Sequence, residues 1–179
     1  MTTSGPRDPA PVVVGAIPGP RGAIAVLRRE GSLVGLHDMP GRLVTQNRRE
    51  VDLVALGRLL RVIAPERVLL ERQSARPGEG VVAAFAAGRW FGELLGVCDA
   101  LELSHTDVLE TSWRRILGVG DADPRARACC AWPAAAGDLA LVTHRCRAAA
   151  LFVAELCRRR NYLADRVPLR RVQDDASAC

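Results

Sequence analysis

Three short apolar runs joined by tight turns open the chain, and they limit the fold more than any other feature. VVVGAI, beginning at Val12, is followed by Pro18-Gly19-Pro20. GAIAVLRR follows from Gly22, then the Glu30-Gly31 turn and SLVGLHDM from Ser32. Runs this short, rich in Val, Ile and Leu and bounded by Pro and Gly, read as β-strands. A parallel crossover needs about a dozen residues or more, so runs joined this closely lie antiparallel. An antiparallel three-stranded meander is therefore expected over residues 11 to 39.

The pattern then changes period. Val51 to Ile63 places Leu53, Leu56, Leu59, Leu60 and Ile63 at helical spacing, and Pro65 closes it. ERVLLE reads as a buried strand ending at Glu71, followed by the polar loop RQSARPGEG. Val81 to Leu95 reads as a second helix containing Gly88 and Gly92, and Ala100 to Leu103 as a short strand. Val108 to Leu117 reads as a strand edge running into a helical turn. Asp123 with Pro124 opens a helix to Trp132, and Leu141 to Asn161 forms a long final one. Strands in a row followed by strand–helix alternation (βββαβαβα) predict an α/β fold, a mixed five-stranded sheet flanked by helices.

A length of 179 residues suits a single domain. The core is expected over residues 11 to 163, with flexible polar ends at 1 to 10 and 164 to 179. There is no basic-then-apolar leader, and no apolar run of the roughly 18 residues a membrane span needs. A soluble, cytoplasmic or intracellular protein is expected, with no membrane partner. The six cysteines form no CxxC pair, which favours reduced thiols over a zinc site or disulfides. The net charge of +5 is carried by arginine. Arginine grips phosphate with two parallel hydrogen bonds, so a nucleic acid is the partner class this composition favours.

Local motifs narrow the fold. VLLERQSARPGEGVVAAFAAGRWFGELLGVCDAL contains Glu71, Arg72 and Gln73 at a strand end, then Pro77, Gly78 and Gly80 in a loop. Phe85, Gly88, Phe91 and Gly92 follow in a helix. Downstream stand Trp113-Arg114-Arg115 and then THRCRAAAL, from Thr143 to Leu151. In this order the motifs resemble the RuvC-like superfamily of Holliday junction resolvases, in particular its phage and chloroplast-type branch, from about residue 12 to residue 155. The resemblance implies a ribonuclease H-like fold, DNA as partner, a homodimer, and Mg2+ or Mn2+ as cofactor of crossover junction cleavage.

It also implies a cluster of acids. Two metal ions that activate water and stabilise a leaving oxygen need hard oxygen ligands. The family draws one from the first strand, one from the end of the fourth and two from the last helix. Here the first-strand motif Gly-Ile-Asp-Pro-Gly is Gly15-Ala16-Ile17-Pro18-Gly19, so Ile17 stands at the acid position. Glu71 is retained as the one family acid and the one expected metal ligand. The last-helix acids fall at Cys146 and Ala149, flanked by Arg145 and Arg147.

The expectation is thus a resolvase homologue that binds branched or duplex DNA with little or no endonuclease activity. Arg72, Arg76, Arg89, Arg114, Arg115, His144, Arg145 and Arg147 lie in the segments that face DNA in the family. Glu71 has a plainer alternative, an ion pair with Arg145 or Arg147, and His144 has one as a helix-start residue. Phe85, Trp90 and Phe91 are expected in the core or at a dimer interface. Two other readings stand beside this one. The first is an active Mg2+-dependent enzyme recruiting Asp138, Glu93 or Glu155 to Glu71. The second is a non-catalytic oligomeric scaffold built on the helix from Val81 to Leu95.

Overall fold

The structure is a computed structural model, and it describes residues 10–46, 48–73 and 78–164. The expected flexible ends lie outside the described residues except for Ala10 and Ala164, as does Arg76.

Three strands, β1 (Val12–Ile17), β2 (Ala23–Arg28) and β3 (Leu33–Asp38), form the anticipated meander. A small hairpin, β4 (Gly41–Thr45) and β5 (Arg48–Val51), leads into helix α1 (Leu53–Ile63). Next come β6 (Arg67–Arg72), α2 (Val81–Ala100), β7 (His105–Leu109) and α3 (Glu110–Ile116). Helix α4 (Pro124–Ala131) and three short 3-10 turns between residues 133 and 144 lead to α5 (Arg145–Ala164). The main sheet has the order β3-β2-β1-β6-β7, antiparallel across the meander and parallel from β1 through β6 to β7. It is the five-stranded mixed sheet expected.

Both faces of the sheet are covered, which is why β1, β2 and β6 are continuous apolar runs rather than alternating ones. Along β1, Val13 and Ile17 pack toward α5, while Val14 and Ala16 pack toward α1 and α2. Gly15 lies under α5, and the approach there is backbone to backbone. A Cβ added to Gly15 would sit 2.1 Å from the Ala154 amide nitrogen and 2.4 Å from the Ala150 carbonyl oxygen. The run of buried alanines in α5 (Ala148, Ala149, Ala150, Ala154) has the same cause. Small residues on both elements let the helix settle directly on the strand.

Several boundaries differ from the sequence expectation. The β4–β5 hairpin was not foreseen, because its strands are polar and even Leu43 is 71% exposed, so no buried face imprints a pattern. Val51 belongs to β5, and α1 begins only after Asp52, whose carboxylate accepts the Ala55 N–H at 2.9 Å. Helix α2 runs on to Ala100, and the last strand is His105–Leu109 instead of Ala100–Leu103. HTDVL has little strand character by composition; its parallel pairing with β6 makes it one. The 3-10 turns delay the final helix to Arg145.

Helix α2 is long and apolar enough, at a mean hydropathy of 1.4, to cross a membrane by length and composition, although charged residues interrupt its apolar run. Its middle carries Arg89 and Glu93, which pair at 3.5 Å, and Leu94 and Cys98 pack it on the sheet.

Replacing Gly15 with Ala forces α5 off β1. The variant is expected to lose at least about 2 kcal/mol of stability in a urea titration. A loss below about 0.5 kcal/mol, the range of inert surface changes, would contradict the close packing.

Candidate functional site

Because β1, β6 and β7 run parallel, their C-terminal ends share one edge of the sheet, the edge where open α/β sheets bind ligands. Ala16 is paired with Leu70, so Ile17 comes next to Glu71, which is itself opposite Val108. Glu71 lies two residues after Leu69 and so shares its α5 face. From α5, Ala149 joins the same buried cluster as Ile17, with half-buried Cys146 packed against it. The Cys146 thiol lies within the electrostatic reach of Glu71. The four positions that the motifs single out, Ile17, Glu71, Cys146 and Ala149, therefore converge.

Glu71 is buried, and its carboxylate points inward. One oxygen accepts the Trp113 indole N–H at 2.8 Å and the other accepts the Gln73 amide at 3.1 Å. Trp113 is fully buried and stacks on Phe152 of α5 with ring centroids 6.0 Å apart; Trp132 meets Phe152 edge-on at 5.5 Å. Burial raises the Glu71 pKa above its ordinary 4.5; the nearby Glu110 adds to this, and the Trp113 and Gln73 hydrogen bonds offset part of it. The alternative pairing of Glu71 with Arg145 or Arg147 does not occur: an indole and an amide satisfy it instead.

The arginines divide into committed and open. Arg72 pairs with Asp107. Arg89 lies between Glu50 and Glu93. Arg114 is buried, bonded to Glu110 at 2.9 Å and to the carbonyls of Gly120 and Ala122, and it holds the loop after α3 instead of facing solvent. Arg147 binds Asp38 with two hydrogen bonds of 2.6 and 2.7 Å and also reaches the Asp138 carbonyl. His144 accepts the Leu141 N–H, the helix-start role. Of the residues expected at DNA, only Arg115 and Arg145 are exposed with no hydrogen-bonded side-chain partner among the described residues, and the charge of Arg145 acts on Asp123.

Two arginines that the sequence reading passed over stand at the site. A cavity of ≈ 570 Å3 beside Cys146 is lined by Pro18 to Gly22, Arg49 and Trp90, and so by Arg21 and Arg49. Arg21 was signalled by its place in Pro-Gly-Pro-Arg-Gly, immediately after Ile17. Arg49 comes from the hairpin that had no recognisable pattern.

The residues do not fit a two-metal centre. Both Glu71 oxygens are engaged by N–H donors, and Glu110 is bonded to Arg114. Asp138 lies 3.8 Å from Arg147, Glu93 pairs with Arg89, and Glu155 is held by Arg158 and Arg159. The alternative acid set does not gather at Glu71. Among the described residues, no group of three or more His, Cys, Asp or Glu is placed to hold a metal ion.

No family model and no curated protein matches the sequence. Solved structures do. A structure of T. thermophilus RuvC in complex with a Holliday junction substrate matches with a TM-score of 0.55 at 16% identity, covering 80% of this chain and 90% of that one. The fold is that of RuvC. A second Thermus thermophilus RuvC structure, 17% identical over the same shares of the two chains, gives a TM-score of 0.46. The match to the junction complex reaches the RuvC-like, ribonuclease H-like mixed sheet independently of the motifs.

The raised Glu71 pKa has a definite sign in stability. Above pH 4.5 the unfolded chain releases this proton while the folded chain retains it, so the group's contribution falls as pH rises toward the folded pKa and is flat beyond it. Glu71→Gln keeps an acceptor for Trp113 and cannot ionise. Denaturant titrations from pH 4 to 8 are expected to show the stability difference, variant minus native, growing with pH. A difference that shrinks with pH would contradict a desolvated carboxylate.

Proposed function

We propose that the protein is a RuvC-like Holliday junction resolvase homologue that binds branched or duplex DNA through its backbone and cuts it little or not at all. The motif segment from Glu71 to Gly92 favours the phage and chloroplast-type branch. The observation that carries the reading is the composition of the converged site. Ile17, Cys146 and Ala149 occupy the acid positions, and the remaining acid faces Trp113 instead of solvent. The RuvC neighbour solved with a junction, the net charge of +5 and the open arginines support DNA as partner. The reading of an active Mg2+- or Mn2+-dependent crossover junction endodeoxyribonuclease has less support, because each acid that could have replaced the missing ones is paired elsewhere.

Gel shifts with four-way junction, duplex and single-stranded DNA at two salt concentrations are expected to show junction or duplex binding that weakens steeply with salt. Added Mg2+ or Mn2+ is expected to give no nicked product. Metal-dependent cleavage that disappears in Glu71→Gln would overturn the loss of catalysis.

A second copy of the chain is the partner that helix α2 fits. Its exposed stripe reads Val81, Phe85, Gly88, Gly92, Gly96, and a Cβ at any of the three glycines would meet nothing within 4 Å. Phe85 is 74% exposed at one end of that groove. Knob and groove thus lie on one face, bordered by Arg89 and Asp99, which an antiparallel two-fold pair buries reciprocally. Sedimentation equilibrium is expected to show a dimer that Phe85→Glu converts to monomer; a native monomer at micromolar concentration would contradict this.

A further inference from the structure

We propose that the cavity between the Pro18–Gly22 turn, Arg49, Trp90 and Cys146 is an anion site that takes a DNA backbone phosphate directly, with no metal ion in between. The inference rests on the DNA-binding reading above and adds to it where the phosphate binds and which groups bind it.

The charge balance comes first. Arg21 and Arg49 line the cavity, and Arg145 and Arg21 both act electrostatically on the Cys146 thiol at its wall. All three are exposed, and none has a carboxylate hydrogen-bonded to it among the described residues, although the charge of Arg49 also acts on Asp38 and that of Arg145 on Asp123. The acids within reach each have their own cation or are buried. Asp38 is bound by Arg147, Asp123 by Arg125 and Glu110 by Arg114; Glu71 lies behind Trp113. Two guanidinium groups, Arg21 and Arg49, therefore line one cavity without a hydrogen-bonded carboxylate, and Arg145 stands beside its Cys146 wall. A divalent cation entering it is repelled, and a phosphate is attracted with the bidentate geometry that arginine offers.

Preorganisation comes second. Arg21 sits in a turn closed by the Gly22 N–H to Gly19 carbonyl bond of 2.8 Å, with Pro20 fixing the preceding φ. Gly19 has φ of +106°, and a Cβ on Gly22 would lie 2.0 Å from the Ile17 carbonyl oxygen, so neither position accepts a side chain. Met39 N–H bonds the Gly22 carbonyl at 2.9 Å and ties the turn to the chain after β3. The Trp90 ring packs against Gly19 from the other side. Its indole N–H is buried with no acceptor among the described residues. The segment that would carry the first-strand acid in a metal-dependent relative here presents an arginine from a rigid turn.

The test uses the full chain, a fluorescently labelled four-way junction and EDTA throughout. Arg21→Ala/Arg49→Ala is compared with Arg58→Ala/Arg61→Ala, which removes equal charge from exposed positions of α1. Loss of the cavity pair is expected to weaken junction binding tenfold or more and to lower the salt slope by about 2. The α1 pair is expected to weaken it less than threefold, and Arg21→Lys/Arg49→Lys to recover part of the loss. Circular dichroism melts confirm that each variant folds. Cavity variants that bind within threefold of the native chain, or native binding that needs Mg2+ or Mn2+, overturn the inference and leave DNA binding standing. A native chain that binds no junction at any salt overturns the DNA-binding reading itself.

Discussion

The hydrogen bond from the Trp113 indole to the Glu71 carboxylate is the interaction on which the site depends. It ties the end of β6 to α3, and Trp113 in turn stacks on Phe152 of α5, so three elements meet through one buried acid. A carboxylate this enclosed needs donors, since an unmet buried acceptor costs about 1–3 kcal/mol. Trp113 and Gln73 supply them. The same bonds settle Glu71 in the core with its carboxylate turned inward. One buried acid does not supply the nest of oxygens that two metal ions need.

Around that anchor the electrostatic sign of the site is reversed. Where a metal-dependent nuclease gathers carboxylates and lets cations offset their repulsion, this chain has an isoleucine, a cysteine and an alanine, with open arginines along the rim. Hard cations and phosphates reach such a site by opposite logic: the first require a nest of oxygens, the second a nest of N–H donors. On the proposed function, retaining the strand order while exchanging the charge would keep the place where a backbone phosphate lies and remove the means of cutting it.

Much of the architecture was legible in the sequence because it is imposed by burial. VVVGAI, GAIAVLRR and ERVLLE are strands covered on both faces, and their unbroken apolar character says so. The convergence of Ile17, Glu71, Cys146 and Ala149 followed from ordered motifs on those strands and on α5. Features decided by pairing or by surface geometry were not legible. HTDVL is a strand because β6 lies beside it, and the β4–β5 hairpin has no buried face to leave a pattern. The partners of the arginines were not legible for a related reason. A sequence shows that Arg114 and Arg147 lie near the site but not that Glu110 and Asp38 hold them, and it does not show Arg49 folding back to the cavity.

The most direct test is a Mn2+ titration of the native chain followed by electron paramagnetic resonance, which reads free Mn2+ in solution. With Mn2+ raised from below to above twice the protein concentration at neutral pH, the free-ion signal is expected to match that of the same Mn2+ in buffer without protein. Loss of that signal up to two ions per chain, restored by Glu71→Gln, would mean that the carboxylate turns outward to bind metal and that the site is a cation site after all.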